Sequence, residues 1–199
     1  MKSDTFEKLY VDELRDMYSA EKQLVKALPK LAKAANSPEL RSALEEHLDV
    51  TKGQVERLEG LFKDLGHSPS GKTCKGMAGI IEEGQSVLEK DLDEDVMDAG
   101  IIASAQKVEH YEIASYGTLR AFAETRGDRR SADVLEEILN EEKDADKTLT
   151  RLAQASINAR ADGEAGDELL EEDDEEMEKR PSASPSRSRP GNGSSRVSR

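Results

Sequence analysis

The chain has 199 residues and a formal net charge of −14, which allows one substantial core and disfavours nucleic-acid phosphates as the partner of a folded domain. Its single cysteine, Cys74, excludes an internal disulfide and suits a reducing cytoplasm. No apolar run approaches the roughly 18 residues of a membrane span, and the N-terminal MKSDTFEKLYVDEL lacks an apolar leader segment, so a cytoplasmic protein with no membrane partner is expected.

The first predicted helix covers 5–35, with Phe6, Tyr10, Leu14, Met17, Leu24, Leu28 and Leu31 at helical spacing on one face. Pro29 lies inside it and is expected to kink or break it. NSPEL follows, with Ser37 as the N-cap and Pro38 in the first turn of the second helix, 38–65. That helix aligns Leu40, Leu44, His47, Thr51, Gln54, Leu58 and Leu61, and Gly66 stops it. After the loop GHSPSGKTCKG comes a short amphipathic helix, 77–92, then a third long helix, 95–124, ending at Gly127. A fourth spans 130–156 with Leu135, Ile138, Leu149 and Leu152 inward. No alternating strand pattern occurs.

Composition changes near Arg160. Residues 161–178 hold eleven acidic residues and no basic one; residues 179–199 hold six basic residues, seven serines and three prolines. Neither block can bury enough apolar surface to offset chain entropy, so 161–199 reads as a disordered tail beside a folded domain of 1–160. PSASPSRSRPG suggests either a modification or nucleic-acid tail or a solubilising extension.

Short links make the first two and the last two long helices antiparallel hairpins. The roughly 30 residues between the hairpins can travel the bundle length and return, which is the all-α, ferritin-like four-helix arrangement.

The third long helix places Glu109 and Glu112 on the face that should meet the core. With Gly127 as the centre of the hairpin, Glu112 and Glu142 are each fifteen residues away, while Glu109 is eighteen before and Asp146 nineteen after. These carboxylates form two facing levels. Glu21 lies on the inward seam of the first helix, roughly level with Gln54. His47 points inward but lies about 9 Å nearer the turn at 1.5 Å per residue. Several buried, uncompensated carboxylates would be strongly unfavourable, whereas divalent cations would turn them into a site. Imidazole and carboxylate suit iron, manganese or zinc. The alternative is a solvated seam with Glu109 against Lys107 or Lys143 at the rim. No Glu-x-x-His occurs. Tyr18, Tyr111 and Tyr116 fall near the same level, for core packing or for hydrogen bonding to ligands.

The segments DMYSAEKQLVKALPKLAKAA, EEHLDVTKGQVERLEGLF, AQKVEHYEIASYGTL and NEEKDADKTLTRLA resemble the YciE/YciF-like family of ferritin-like bacterial stress proteins. The resemblance covers about residues 5–157. It implies a four-helix ferritin-like fold, a dinuclear metal centre and a homodimer. Carried over by position, it makes Glu21, Glu109, Glu112, Glu142 and Asp146 metal-site residues, with His47 and Gln54 contributed by the second helix. Val50 departs from the pattern where an acidic residue is common, which implies a thinner site. Expected function is therefore binding of two divalent ions, iron first, with Fe(II) oxidation by oxygen or peroxide, or peroxide removal, under stress. The competing expectation is a non-catalytic structural or interaction protein acting through its dimer surface or charged tail.

Overall fold

The computed structural model describes residues 3–163. Four long helices, α1 (Ser3–Ala34), α2 (Pro38–Leu65), α4 (Glu94–Thr125) and α5 (Arg129–Leu152), enclose one core, and the short α3 (Lys75–Leu88) lies within the crossover. A π-helical turn, Ala153–Ile157, and a last turn, Asn158–Ala161, follow. The fold is ferritin-like, as the sequence implies. The predicted tail falls outside the described residues from 164 onward. Among the described residues no helix is long and apolar enough to cross a membrane.

Local chemistry sets the boundaries. Ser37 Oγ accepts from Leu40 N–H at 3.2 Å, and Pro38 occupies the first turn, where its missing donor has no consequence. Gly66 takes φ 70° and closes α2, with His67 N–H donating to Phe62 C=O at 3.0 Å. Gly127, at φ 74°, turns the chain between α4 and α5. Pro29 does not end α1, contrary to a break there: the helix runs on to Ala34, and Pro29 itself is exposed.

The core is built from the expected stripes, with Tyr10, Leu14, Met17, Leu24, Leu40, Leu58, Leu119, Leu135 and Ile138 buried. Helix α3 docks on α4 where Gly76 meets Tyr111; a Cβ at Gly76 would lie 2.7 Å from the ring.

The two hairpins are locked in register by a residue without a periodic signal. Asp98, buried near the start of α4, accepts from Asn36 N–H and Ser37 N–H, both at 2.7 Å. It thereby ties the α1–α2 turn to the N-terminal end of α4. Arg160 Nε, donating to Asp95 Oδ1 at 2.8 Å, anchors the chain's last described turn to the same end.

Candidate metal centre

The Asp98 contact with the α1–α2 turn gives a reference height for the interior. Counting from that contact, His47 on α2 comes level with Glu109 on α4, and Glu21 on α1 comes level with Glu112. The spacing of the two α4 carboxylates, about 4.5 Å at 1.5 Å per residue, takes up about half of the offset of His47 from Glu21. His47 Nε2 lies 3.4 Å from Glu109 Oε1 and 3.8 Å from Glu142 Oε2. Ligand-type atoms of His47, Glu109, Glu112 and Glu142 all fall within 4.8 Å of one another.

Around this group sit the other predicted residues. Glu21, completely buried, accepts from Tyr116 O–H. Gln54, also completely buried, donates through Nε2 to Glu142 and, at 3.1 Å, to Glu141 Oε2. Glu141 is gripped by both Arg57 terminal nitrogens, one of them at 2.9 Å. Asp146 is not brought into the group. It is partly exposed and meets Gln106 Nε2 at 3.3 Å and His110 Nε2 at 3.4 Å. Four residues advance an α-helix by about 40° beyond a full turn, which carries Asp146 from the seam of Glu142 toward the rim. Glu142 instead serves both levels, reaching Glu109 as well as Glu112. The rim alternative for Glu109 fails: it is 2% exposed, while Lys107 pairs with Glu83 and Lys143 with Asn140.

Burial dominates the electrostatics. It lifts the Glu21 carboxyl to about 7, opposed by the Tyr116 hydroxyl. It lifts Glu109 to about 8, with Glu21 and Asp146 adding like charge. Glu112 and Glu142 are raised well above the carboxylate range by burial and by Glu21 and each other's neighbours. The His47 imidazole is pushed down to about 4 by desolvation. Its proximity to Glu109 is thus a contact of neutral groups in the metal-free chain. Neutral imidazole is also the form that ligates metals.

The hydrogen-bond account supplies the fit test for a cation. Among the described residues Glu21 Oε2, His47 Nε2, Gln54 Oε1, Glu109 Oε2, Glu142 Oε2 and both Glu112 oxygens are buried without a protein hydrogen-bond partner. Such orphans are rare in protein interiors, and here they gather in one place. They are nearly all oxygen acceptors, with one imidazole, which is the donor set of iron or manganese. A cleft of about 290 Å³ between α2 and α5 reaches His47 and Glu109, with Val50 at its edge and Glu46, Glu141 and Asp144 on its rim.

Sequence reasoning missed Asp98, Arg57 and Glu141. It named Tyr116 without a partner. Asp98 carried only a generic signal, an acidic residue in the first turns of a helix. Arg57 had one that could have been read, since it lies one turn beyond Gln54.

Two helical hairpins joined by a long crossover, with carboxylates and one imidazole converging at mid-height, define a ferritin-like protein with a carboxylate-rich interior. The same fold occurs in ferritin-like, diiron-carboxylate proteins of Bacillus anthracis (TM-score 0.58, 16% identity, 73% of this chain and 95% of that one), a likeness of fold alone. Residues 5–162 match the family described as "Domain of unknown function (DUF892)", and the chain belongs to that family. It is 45% identical over 166 residues to Protein YciF of Escherichia coli (strain K12), covering 83% of this chain and 100% of that protein. It superimposes on the crystal structure of the E. coli stress protein YciF with a TM-score of 0.73 at 46% identity, covering 74% of this chain and 94% of that one. For YcfI from Rhodopseudomonas palustris the TM-score is 0.71 at 46% identity, covering 73% and 92%.

Proposed function

We propose that this chain binds two divalent cations, iron foremost, in its helical interior and uses them in stress defence, oxidising Fe(II) with oxygen or peroxide or removing peroxide. The observation that carries this reading is the convergence of unpartnered buried acceptors on Glu21, Gln54, Glu109, Glu112 and Glu142 beside His47. His47, Glu109, Glu112 and Glu142 would hold one cation. Glu21 and the Gln54 carbonyl, with Glu112 and Glu142 shared, would serve the second. Bound iron would supply the electrons that reduce the oxidant.

The chain's own residues do the rest. Tyr116 O–H orients Glu21. Arg57 holds Glu141, and Glu141 together with Glu142 takes the Gln54 amide donors, which leaves the Gln54 carbonyl oxygen for the interior. Apolar layers above and below exclude bulk water, so charge on the carboxylates is felt strongly. Kinship with a stress protein supports the physiological part of the reading, and the resemblance supports a homodimer in the cytoplasm.

Elemental analysis of protein purified without chelator tests the reading. About two metals per chain are expected, lost in the Glu109→Ala, Glu142→Ala double variant, with Fe(II) oxidation measured alongside. Protein that retains no metal, and takes up none when offered Fe(II) or Mn(II), refutes it. One observation favours a non-catalytic interaction protein instead: Val50, exposed at the cleft edge, offers no ligand from α2.

A further inference from the structure

A second approach to Glu109 comes from the opposite side of α4. A cavity of about 30 Å³ lies where α1, α3 and α4 meet. Leu28, Ile81, Ala105 and Val108 line it, together with Lys30 and Gln85, both exposed, and the buried Glu109. The one hydroxyl in the lining, Ser104 Oγ, is turned back on its own helix, donating to Gly100 C=O at 2.9 Å.

Size and polarity select the occupant. A water molecule needs about 10–15 Å³ of such space and two to four polar partners. This cavity has room for a diatomic molecule and, with Ser104 engaged, almost no polar partners short of Glu109. Hydrogen peroxide would forfeit two donors here, at about 1–3 kcal/mol for each unmade hydrogen bond. Dioxygen forfeits none and gains dispersion contacts with the walls. The His47 cleft differs on every count: it is about 290 Å³, opens between α2 and α5, and carries carboxylates on its rim.

We infer that the α1–α3–α4 cavity is a dioxygen-binding pocket that delivers the gas to the Glu109 side of the interior, while cations and peroxide use the α2–α5 cleft. The inference deepens the proposed function and rests on it for the fate of the gas, but not for its binding.

Xenon, an apolar probe of similar size, tests the pocket in the full-length, metal-free chain. Methyl spectra recorded under increasing xenon pressure should show saturable shifts at Leu28, Ile81 and Val108. Ala105→Leu, which fills the cavity, should abolish them. Ala27→Leu, at another position in the lining, fills it independently if the first variant does not fold. In iron-loaded protein these variants should slow oxidation by dioxygen at least tenfold and leave oxidation by peroxide and the iron stoichiometry within twofold. Absence of saturable shifts at those methyls overturns the inference, as does their persistence in the filled variants. Shifts with pentane but not with xenon would assign the cavity to an alkyl group and overturn it too. Equal slowing with dioxygen and peroxide would remove the selectivity and the inference with it. A chain that binds xenon there but no iron would sustain the pocket and defeat the proposed function; one that binds iron but no xenon would do the reverse.

Discussion

Replacing Glu109 by Gln should stabilise the metal-free protein at neutral pH and destabilise it, relative to wild type, when cations are supplied. The unfolded chain ionises this carboxyl near 4.5 and the folded chain near 8. Over that window the folded state holds a proton that the unfolded state has lost. A pKa raised in the folded state makes stability fall as pH rises, at about 1.4 kcal/mol per pH unit for one proton. At pH 7 the deficit is therefore about 3 kcal/mol. Glutamine fills the same space without that term. An amide in a pocket shaped for a carboxyl pairs imperfectly, at a cost of about 1 kcal/mol. The net gain of about 2 kcal/mol corresponds to a rise in Tm of about 4–8 °C for a chain of this size. At pH 4 both states protonate Glu109 and the gain vanishes. With cation at a hundredfold excess over Kd, wild type gains about 2.7 kcal/mol and the variant, short of a ligand, gains far less. Differential scanning calorimetry in chelator at pH 4 and pH 7, then at pH 7 with Mn(II), measures all three terms. A variant no more stable than wild type in chelator at pH 7, or equally stabilised at pH 4, would show that Glu109 is not held neutral by burial.

His47→Ala should weaken cation binding at least tenfold, about the scale seen when even an outer partner of a ligand is lost; competition titration with a chelating dye reads the change. In the metal-free chain the His47 imidazole, pushed down to about 4, contributes a loss of stability as pH falls from about 6.5 to 4, and His47→Ala should remove that component from the acid limb of a Tm–pH profile. Asp98→Ala leaves the Asn36 and Ser37 N–H groups without their acceptor, so stability should fall by about 2–3 kcal/mol and Tm by about 5–10 °C, with Asp98→Asn recovering part of the loss. Tyr116→Phe takes from Glu21 the Tyr116 hydroxyl donor and should destabilise the metal-free chain by about 1–3 kcal/mol, measured by urea unfolding.

Much of the fold was legible because each helix announces itself locally. The bounds of α2 follow from Ser37, Pro38 and Gly66 alone, and observed and expected ranges coincide. Glu112 and Glu142 could be paired from sequence because both lie on one hairpin, where a single turn fixes relative height. His47 could not be placed that way. Its height depends on how one hairpin docks on the other, and that register is set by Asp98 meeting the α1–α2 turn across 61 and 62 residues of sequence. Asp146 failed for a different reason: an i,i+4 spacing marks a shared stripe, but the stripe slants, and only one end of it faces the interior. Pro29 was expected to kink or break α1 because propensity scores a residue without knowing which side of the helix meets water; the helix runs through it unbroken.

The placement of the carboxylates also argues that the fold does not need them. Ion pairs elsewhere on the chain, such as Lys107 with Glu83 and Arg120 with Glu136, involve side chains with access to solvent, where such pairs contribute little. At mid-height the opposite holds: Glu21, Glu109, Glu112 and Glu142 are at most 2% exposed, and among the described residues the three buried oxygens of Glu109 and Glu112 have no hydrogen-bond partner. A bundle selected only for stability would carry apolar side chains here, since replacing buried charged groups by hydrophobic ones of similar volume is often neutral or stabilising. The flanking layers, with Leu24 and Leu40 on one side and Leu14 and Leu119 on the other, show that these helices can supply such residues. What the carboxylates give in exchange is a dry cluster of oxygen donors held by Tyr116, Arg57 and Asp98 through their neighbours. On the proposed reading, stability lost in gathering these carboxylates would be returned as affinity for a cation, because binding would relieve the same repulsion and desolvation that raise the carboxyl pKa values.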